Sequence, residues 1–109
     1  MTATTSAAQQ WQLLKRAEYY LIVNRKSGKV LDVPDGTDAA VQIHLWDHDG
    51  APKQQWSIEK AANYSVIRSR SSGLVLDVAY GNKSDGAPII QYPHEKGSPD
   101  QLWKLVPVK

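Results

Sequence analysis

Apolar residues in this chain come in short clusters, each cut off by a polar, glycine-rich or proline-rich stretch. Tyr20–Val23, Val30–Val33, Val41–Trp46 and Trp56–Ile58 are rich in β-branched and aromatic residues, the composition of short strands. Between and after them, Pro34-Asp35-Gly36, Asp49-Gly50-Ala51-Pro52, Asn82-Lys83-Ser84-Asp85-Gly86 and Gly97-Ser98-Pro99 read as loops. Lys26-Ser27-Gly28-Lys29 and Ser71-Ser72-Gly73 predict tight hairpin turns, with glycine supplying a positive φ. No window carries a sustained helical stripe of apolar positions. Gln10–Ala17 alone is compatible with a short helix, but its likeness to Gln55–Ala62 predicts a strand. Alternation in Val41–Trp46 sets Ile43 and Leu45 on one face and His44 and Trp46 on the other, so if the first pair faces the core the second faces out. The fold class is all-β.

The clusters repeat. Gln-x-Trp occurs at Gln9-Gln10-Trp11, Gln54-Gln55-Trp56 and Gln101-Leu102-Trp103, with the tryptophans 45 and 47 residues apart. Such a period marks an array of one supersecondary unit. Tyr19–Val33 and Tyr64–Val78 agree at nine of fifteen positions. Ser27-Gly28-Lys29-Val30-Leu31-Asp32-Val33 matches Ser72-Gly73-Leu74-Val75-Leu76-Asp77-Val78, and Ile43-His44-Leu45-Trp46 answers Ile89-Ile90-Gln91-Tyr92. The reading is a tail over 1–8 and one domain over 9–109, divided into a lone strand (9–18) and two four-strand repeats (19–60 and 61–109).

Composition narrows the function. Thirteen basic and eleven acidic residues are interspersed, giving a net charge of +2, too mild for the concentrated basic face that nucleic acid requires. No apolar run approaches the roughly 18 residues of a spanning helix, so no membrane insertion is expected. The first eight residues lack a basic start and an apolar stretch, so they are not a secretory signal. There is no cysteine. Together these imply a cytoplasmic protein, or one released without a signal peptide. Four Trp and five Tyr, with no Phe, give every aromatic ring a polar handle, as suits binding surfaces. His44, His48 and His94 have no partner at ligand spacing, so neither a metal nor another cofactor is expected.

The segment Tyr20-Leu21-Ile22-Val23-Asn24-Arg25-Lys26-Ser27-Gly28-Lys29-Val30-Leu31-Asp32-Val33, followed by an aromatic strand and Gln54-Gln55-Trp56, resembles a ricin B-type lectin repeat. The second unit resembles it too, and the likeness covers residues 9–109. Ser-Gly-x-Val-Leu-Asp-Val, a central aromatic and Gln-x-Trp, twice in register, make it specific. The resemblance implies a β-trefoil of three four-strand units and a carbohydrate-binding role, with glycans as partners and galactose or N-acetylgalactosamine heading the candidate sugars.

Sugar recognition needs a flat aromatic against the C–H face and a fixed carboxylate that accepts from neighbouring hydroxyls. The first repeat offers Asp32 and Trp46, the second Asp77 and Tyr92. By resemblance, Gln54 and Gln101 buttress each Asp or reach a hydroxyl. Two residues before the aromatic stand His44 and Ile90, and the family places either a polar or an apolar residue there. Before the Gln-x-Trp glutamine the family often has an Asn whose amide contacts the sugar. This chain has Lys53, which lacks the acceptor, and Asp100, which lacks the donor. Gln9, with no preceding Asp and aromatic, has no pocket of its own.

Each of these residues has a plainer reading. An Asp at a strand end often only accepts backbone N–H bonds in a turn, and Trp46 and Tyr92 are also candidates for the core. Trp11, Trp56, Trp103, Leu31, Leu76, Val33 and Val78 are expected in the core. No nucleophile has an adjacent base, and Asp32 and Asp77, at equivalent places in different units, do not suggest the carboxylate pair of a glycosidase, so no catalysis is expected. A trefoil-like interaction or scaffold protein, such as an inhibitor or a toxin subunit, is the alternative. Nine strands are expected where a closed trefoil has twelve. An incomplete trefoil exposes apolar surface and strand edges, so a homo-oligomer that completes it is expected.

Overall fold

Branched and aromatic clusters become strands, and turn-formers end them. The computed structural model describes residues 10–34, 41–78 and 89–106. The tail over 1–8, Gln9, the loop residues Asp35-Gly36 and the loop Asn82–Gly86 lie outside these. Among the described residues there are eight strands: β1 (Trp11–Arg16), β2 (Tyr19–Asn24), β3 (Val30–Asp32), β4 (His44–Trp46), β5 (Trp56–Ala61), β6 (Tyr64–Ser69), β7 (Val75–Val78) and β8 (Ile89–Tyr92). Short 3-10 turns cover Pro52–Gln54 and Pro99–Gln101. The fold is all-β, and the first Gln-x-Trp leads into a strand, not a helix.

The register repeats with the sequence. β1 pairs antiparallel with β2 from Trp11↔Asn24 to Arg16↔Tyr19, and β5 pairs with β6 from Trp56↔Ser69 to Ala61↔Tyr64. β3 and β4 align Asp32 with His44, as β7 and β8 align Asp77 with Ile90. β2 and β5 pair within the first unit at Tyr20↔Trp56. The equivalent contact in the next unit is a single bridge, Ser65↔Trp103, with N–H···O bonds of 2.8 Å in both directions. The expected ninth strand is thus one bridged residue among the described residues.

The sheet runs β4-β3-β2-β5-β6-β7-β8, with β1 on β2. Its two ends meet, because the segment leading into β4 bonds to β8: Ile43 N–H donates to Ile89 O at 2.8 Å and Gln91 N–H to Val41 O at 3.0 Å. This is why β4 is shorter than the apolar run Val41–Trp46. Residues 41–43 leave the β3 ladder to pair across the molecule.

The turns show one feature the sequence reading missed. Gly28 and Gly73 take φ of +73° and +74°, as glycine in a hairpin allows. Ala17 and Ala62, in the β1–β2 and β5–β6 turns, also take positive φ, 56° and 58°, a strained choice for a residue with a Cβ.

The core gathers Ile22, Leu31, Val33, Ile43, Trp56, Ile67, Leu76 and Trp103, with Trp11, Leu13, Leu45, Ile58, Val78 and Ile89 packed against it. The Trp56 indole N–H donates to Leu31 O at 3.2 Å, and that of Trp103 to Leu76 O at 3.1 Å. Each tryptophan therefore buries both its ring and its donor under the Val-Leu-Asp strand of its own unit. Trp11 has no such strand before it among the described residues and stays half-buried.

Candidate functional site

Each Val-Leu-Asp strand carries its aspartate at or next to its end, and the antiparallel partner sets a residue directly opposite it, with an aromatic two positions on along the same face. Asp32, His44 and Trp46 come together in this way, and so do Asp77, Ile90 and Tyr92. Ile43 and Ile89 face the core instead. Trp46 is 53% exposed and Tyr92 37%, so both rings stand outside the core.

The glutamines fix the carboxylates. Gln54 Nε2 donates to Asp32 Oδ2 at 2.8 Å and to Asp47 O at 2.8 Å, while Gln54 Oε1 accepts from Asp49 N–H at 2.9 Å. Gln101 repeats this: Nε2 donates to Asp77 Oδ2 at 2.9 Å and to Pro93 O at 2.9 Å, and Oε1 accepts from Glu95 N–H at 2.8 Å. One buried amide thus ties the aspartate of each Val-Leu-Asp strand to the chain leaving the strand paired with it. The 3-10 turns place it, each with proline at its first residue and the glutamine at its last. The sequence carried that signal as a proline two residues before each glutamine. The backbone anchors at 47, 49, 93 and 95 had no signal of their own.

The two sites differ at the other aspartate oxygen. His44 Nε2 lies 2.8 Å from Asp32 Oδ1, and the imidazole stacks on Trp46 with ring centroids 5.3 Å apart and planes 17° from parallel. Ile90, opposite Asp77, offers no polar atom and is buried. Lys53 and Asp100 are half-buried in the middle of the 3-10 turns. The Lys53 carbonyl accepts from Val33 N–H at 3.0 Å, which moors its turn to the end of β3. Gln91, in the place of Leu45, is fully buried and accepts from Ser72 Oγ at 2.8 Å.

His94 follows β8, its Nδ1 3.5 Å from Arg68 Nη2. Arg68 grips Glu59 through Nε at 2.8 Å and Nη2 at 3.2 Å. That hydrogen bond, more than simple charge attraction, holds the Glu59 carboxyl below its ordinary range against the opposing effect of burial. Among the described residues, no three His, Asp or Glu side chains converge as a metal centre would need.

An immobilised carboxylate beside an exposed ring, twice in one all-β frame, defines a lectin-like module. Residues 7–92 and 66–109 match the ricin-type beta-trefoil lectin domain-like family, and the chain belongs to it. At the level of the family this is a carbohydrate-binding domain. The designed three-fold symmetric protein ThreeFoil shares 34% identity with a TM-score of 0.92, over 98% of this chain and 78% of that one. An exo-beta-1,3-galactanase from Clostridium thermocellum shares 34% identity with a TM-score of 0.91, over 99% of this chain but only 24% of the enzyme. A Polyporus squamosus lectin, crystallised with Neu5Aca2-6Galb1-4GlcNAc, has the same fold at 18% identity and a TM-score of 0.75, over 86% of this chain and 34% of that one. No curated protein matches the chain.

Proposed function

We propose that the chain is a non-catalytic lectin that binds galactose-type or N-acetylgalactosamine-type glycans through two shallow pockets, Asp32 with Trp46 and Asp77 with Tyr92. The observation that carries this reading is the repeated lock of Gln54 on Asp32 and Gln101 on Asp77, at 2.8 and 2.9 Å. A carboxylate held rigid before a ligand arrives loses little freedom on accepting its hydroxyls, and an exposed ring beside it takes the C–H face. Both aspartates are committed to this framework and stand in separate pockets, which favours recognition over acid–base chemistry. Single shallow pockets bind weakly, and display of several on one glycan surface supplies avidity.

The test is a glycan array followed by calorimetric titration of methyl β-galactoside and N-acetylgalactosamine. Binding is expected, and the Asp32→Ala/Asp77→Ala double variant loses it while remaining folded. A folded wild-type protein silent across the array overturns the lectin reading in favour of an interaction scaffold. Hydrolysis of a glycan during incubation overturns the non-catalytic reading.

Assembly is a second part of the proposal. β1 pairs only with β2 among the described residues, and its Trp11 and Leu13 are half-buried although they pack on the core. Leu105 and Val106 are exposed. A second copy laid over these apolar side chains removes them from water, giving a homo-oligomer. Light scattering on a size-exclusion column checks it: the mass of one chain overturns it.

A further inference from the structure

The two pockets share a frame but not a free acceptor, and the geometry points to His44 as the residue that ranks them: the Asp77 pocket is the principal sugar site, and the Asp32 pocket is held back by its own histidine. This rests on the lectin reading above. In both pockets the glutamine takes Oδ2 of the aspartate. What remains for a ligand is Oδ1.

In the first pocket His44 Nε2 already sits 2.8 Å from Asp32 Oδ1. Asp32 has no exposed surface at all. The imidazole is held from a second side by its stack on Trp46. A sugar hydroxyl that reaches Oδ1 must break the His44 contact and disturb the ring on which the sugar would rest. Exchanging one hydrogen bond for another yields little net affinity. In the second pocket the facing residue is Ile90, which cannot compete. Asp77 Oδ1 has no partner among the described residues, and none of their buried side-chain oxygens or nitrogens lacks a partner. That oxygen therefore keeps some contact with solvent, in keeping with the 7% exposure of Asp77, where Asp32 has none. It is a charged acceptor that gains a bond outright when a hydroxyl arrives.

The side-chain amides of Gln54 and Gln101 each touch one aspartate and serve as separate reporters. The experiment follows both by amide NMR as methyl β-galactoside or N-acetylgalactosamine is added to the wild-type chain. The Gln101 signal is expected to saturate at a concentration about tenfold or more lower than the Gln54 signal. His44→Ile frees Asp32 Oδ1 and brings the Gln54 curve towards that of Gln101. His44→Leu serves equally if the isoleucine variant does not fold. Ile90→His is expected to weaken the Gln101 response. Coincident curves in the wild type, or a Gln54 curve that His44→Ile and His44→Leu leave in place, overturn the ranking while the lectin reading stands. Silence at both reporters overturns the two together.

Discussion

Gln54 and Asp32, 22 residues apart in sequence, are joined by an Nε2–H···Oδ2 bond of 2.8 Å inside the protein, where neither side chain meets water. The same amide closes two backbone bonds. Gln54→Ala leaves a carboxylate oxygen, a carbonyl and an N–H unpaired, and the expected loss is on the order of 3 kcal/mol. Urea unfolding should show a lower midpoint at an unchanged slope. Gln101→Ala is expected to behave alike. A midpoint within error of the wild type would show that the amide is not part of the frame.

Two tryptophans ten residues apart should respond oppositely to truncation. Trp56 is fully buried, with its N–H paired to Leu31, and Trp56→Ala is expected to lose about 3–5 kcal/mol. Trp46 is 53% exposed, and Trp46→Ala should stay within about 0.5 kcal/mol of the wild type. Thermal melts of the two variants give the contrast directly.

Ala17 and Ala62 hold the left-handed φ of their turns at a steric cost that glycine avoids. Glycine also adds freedom to the unfolded chain, which offsets part of the gain. Ala62→Gly and Ala17→Gly are each expected to stabilise by about 0.5 kcal/mol. Ala62→Val, with a branched Cβ in the same turn, should destabilise. Melting temperatures that order the three residues otherwise would contradict the turn geometry.

The Glu59–Arg68 pair gives stability a mild pH dependence. The carboxyl is held below its unfolded value, so its contribution is present above the ordinary glutamate range and is lost as pH falls through the depressed folded value. Both side chains are partly exposed, at 43% and 31%, and solvent screening limits the pair to less than about 1 kcal/mol. Glu59→Gln is expected to be slightly less stable than the wild type at pH 7. The gap should close as the pH falls below the ordinary glutamate range and shrink in about 1 M salt. Unfolding curves across pH with and without salt check both effects.

Period and alternation made much of this molecule legible. The 45-residue offset placed Tyr19–Asn24 and Tyr64–Ser69 as equivalent strands, and alternation put Ile43 inward and Trp46 outward, as the structure has them. The rest depended on atoms. A face assignment cannot say that His44 would take Asp32 Oδ1 while Ile90 leaves its counterpart open, because both residues obey the same alternation. Gln91 reads as a break in the apolar pattern, and its amide oxygen is tolerated inside by accepting from the nearby Ser72 hydroxyl. The positive φ at Ala17 and Ala62 lies outside residue preference altogether, since local propensity gives way where two paired strands dictate the turn.

The bonds from Ile43 to Ile89 and from Gln91 to Val41 tie the strand that enters one pocket to the strand that builds the other. Repeats in a solenoid unzip from the end like beads. Here the two copies are spliced at their third strands, so neither can open alone without tearing the other's edge. The duplicated halves should therefore exchange their deepest amide protons with deuterium in step, as one cooperative foldon. Duplication doubled the pairing of aspartate and aromatic ring, but the seam is expected to leave the molecule a single unit of unfolding.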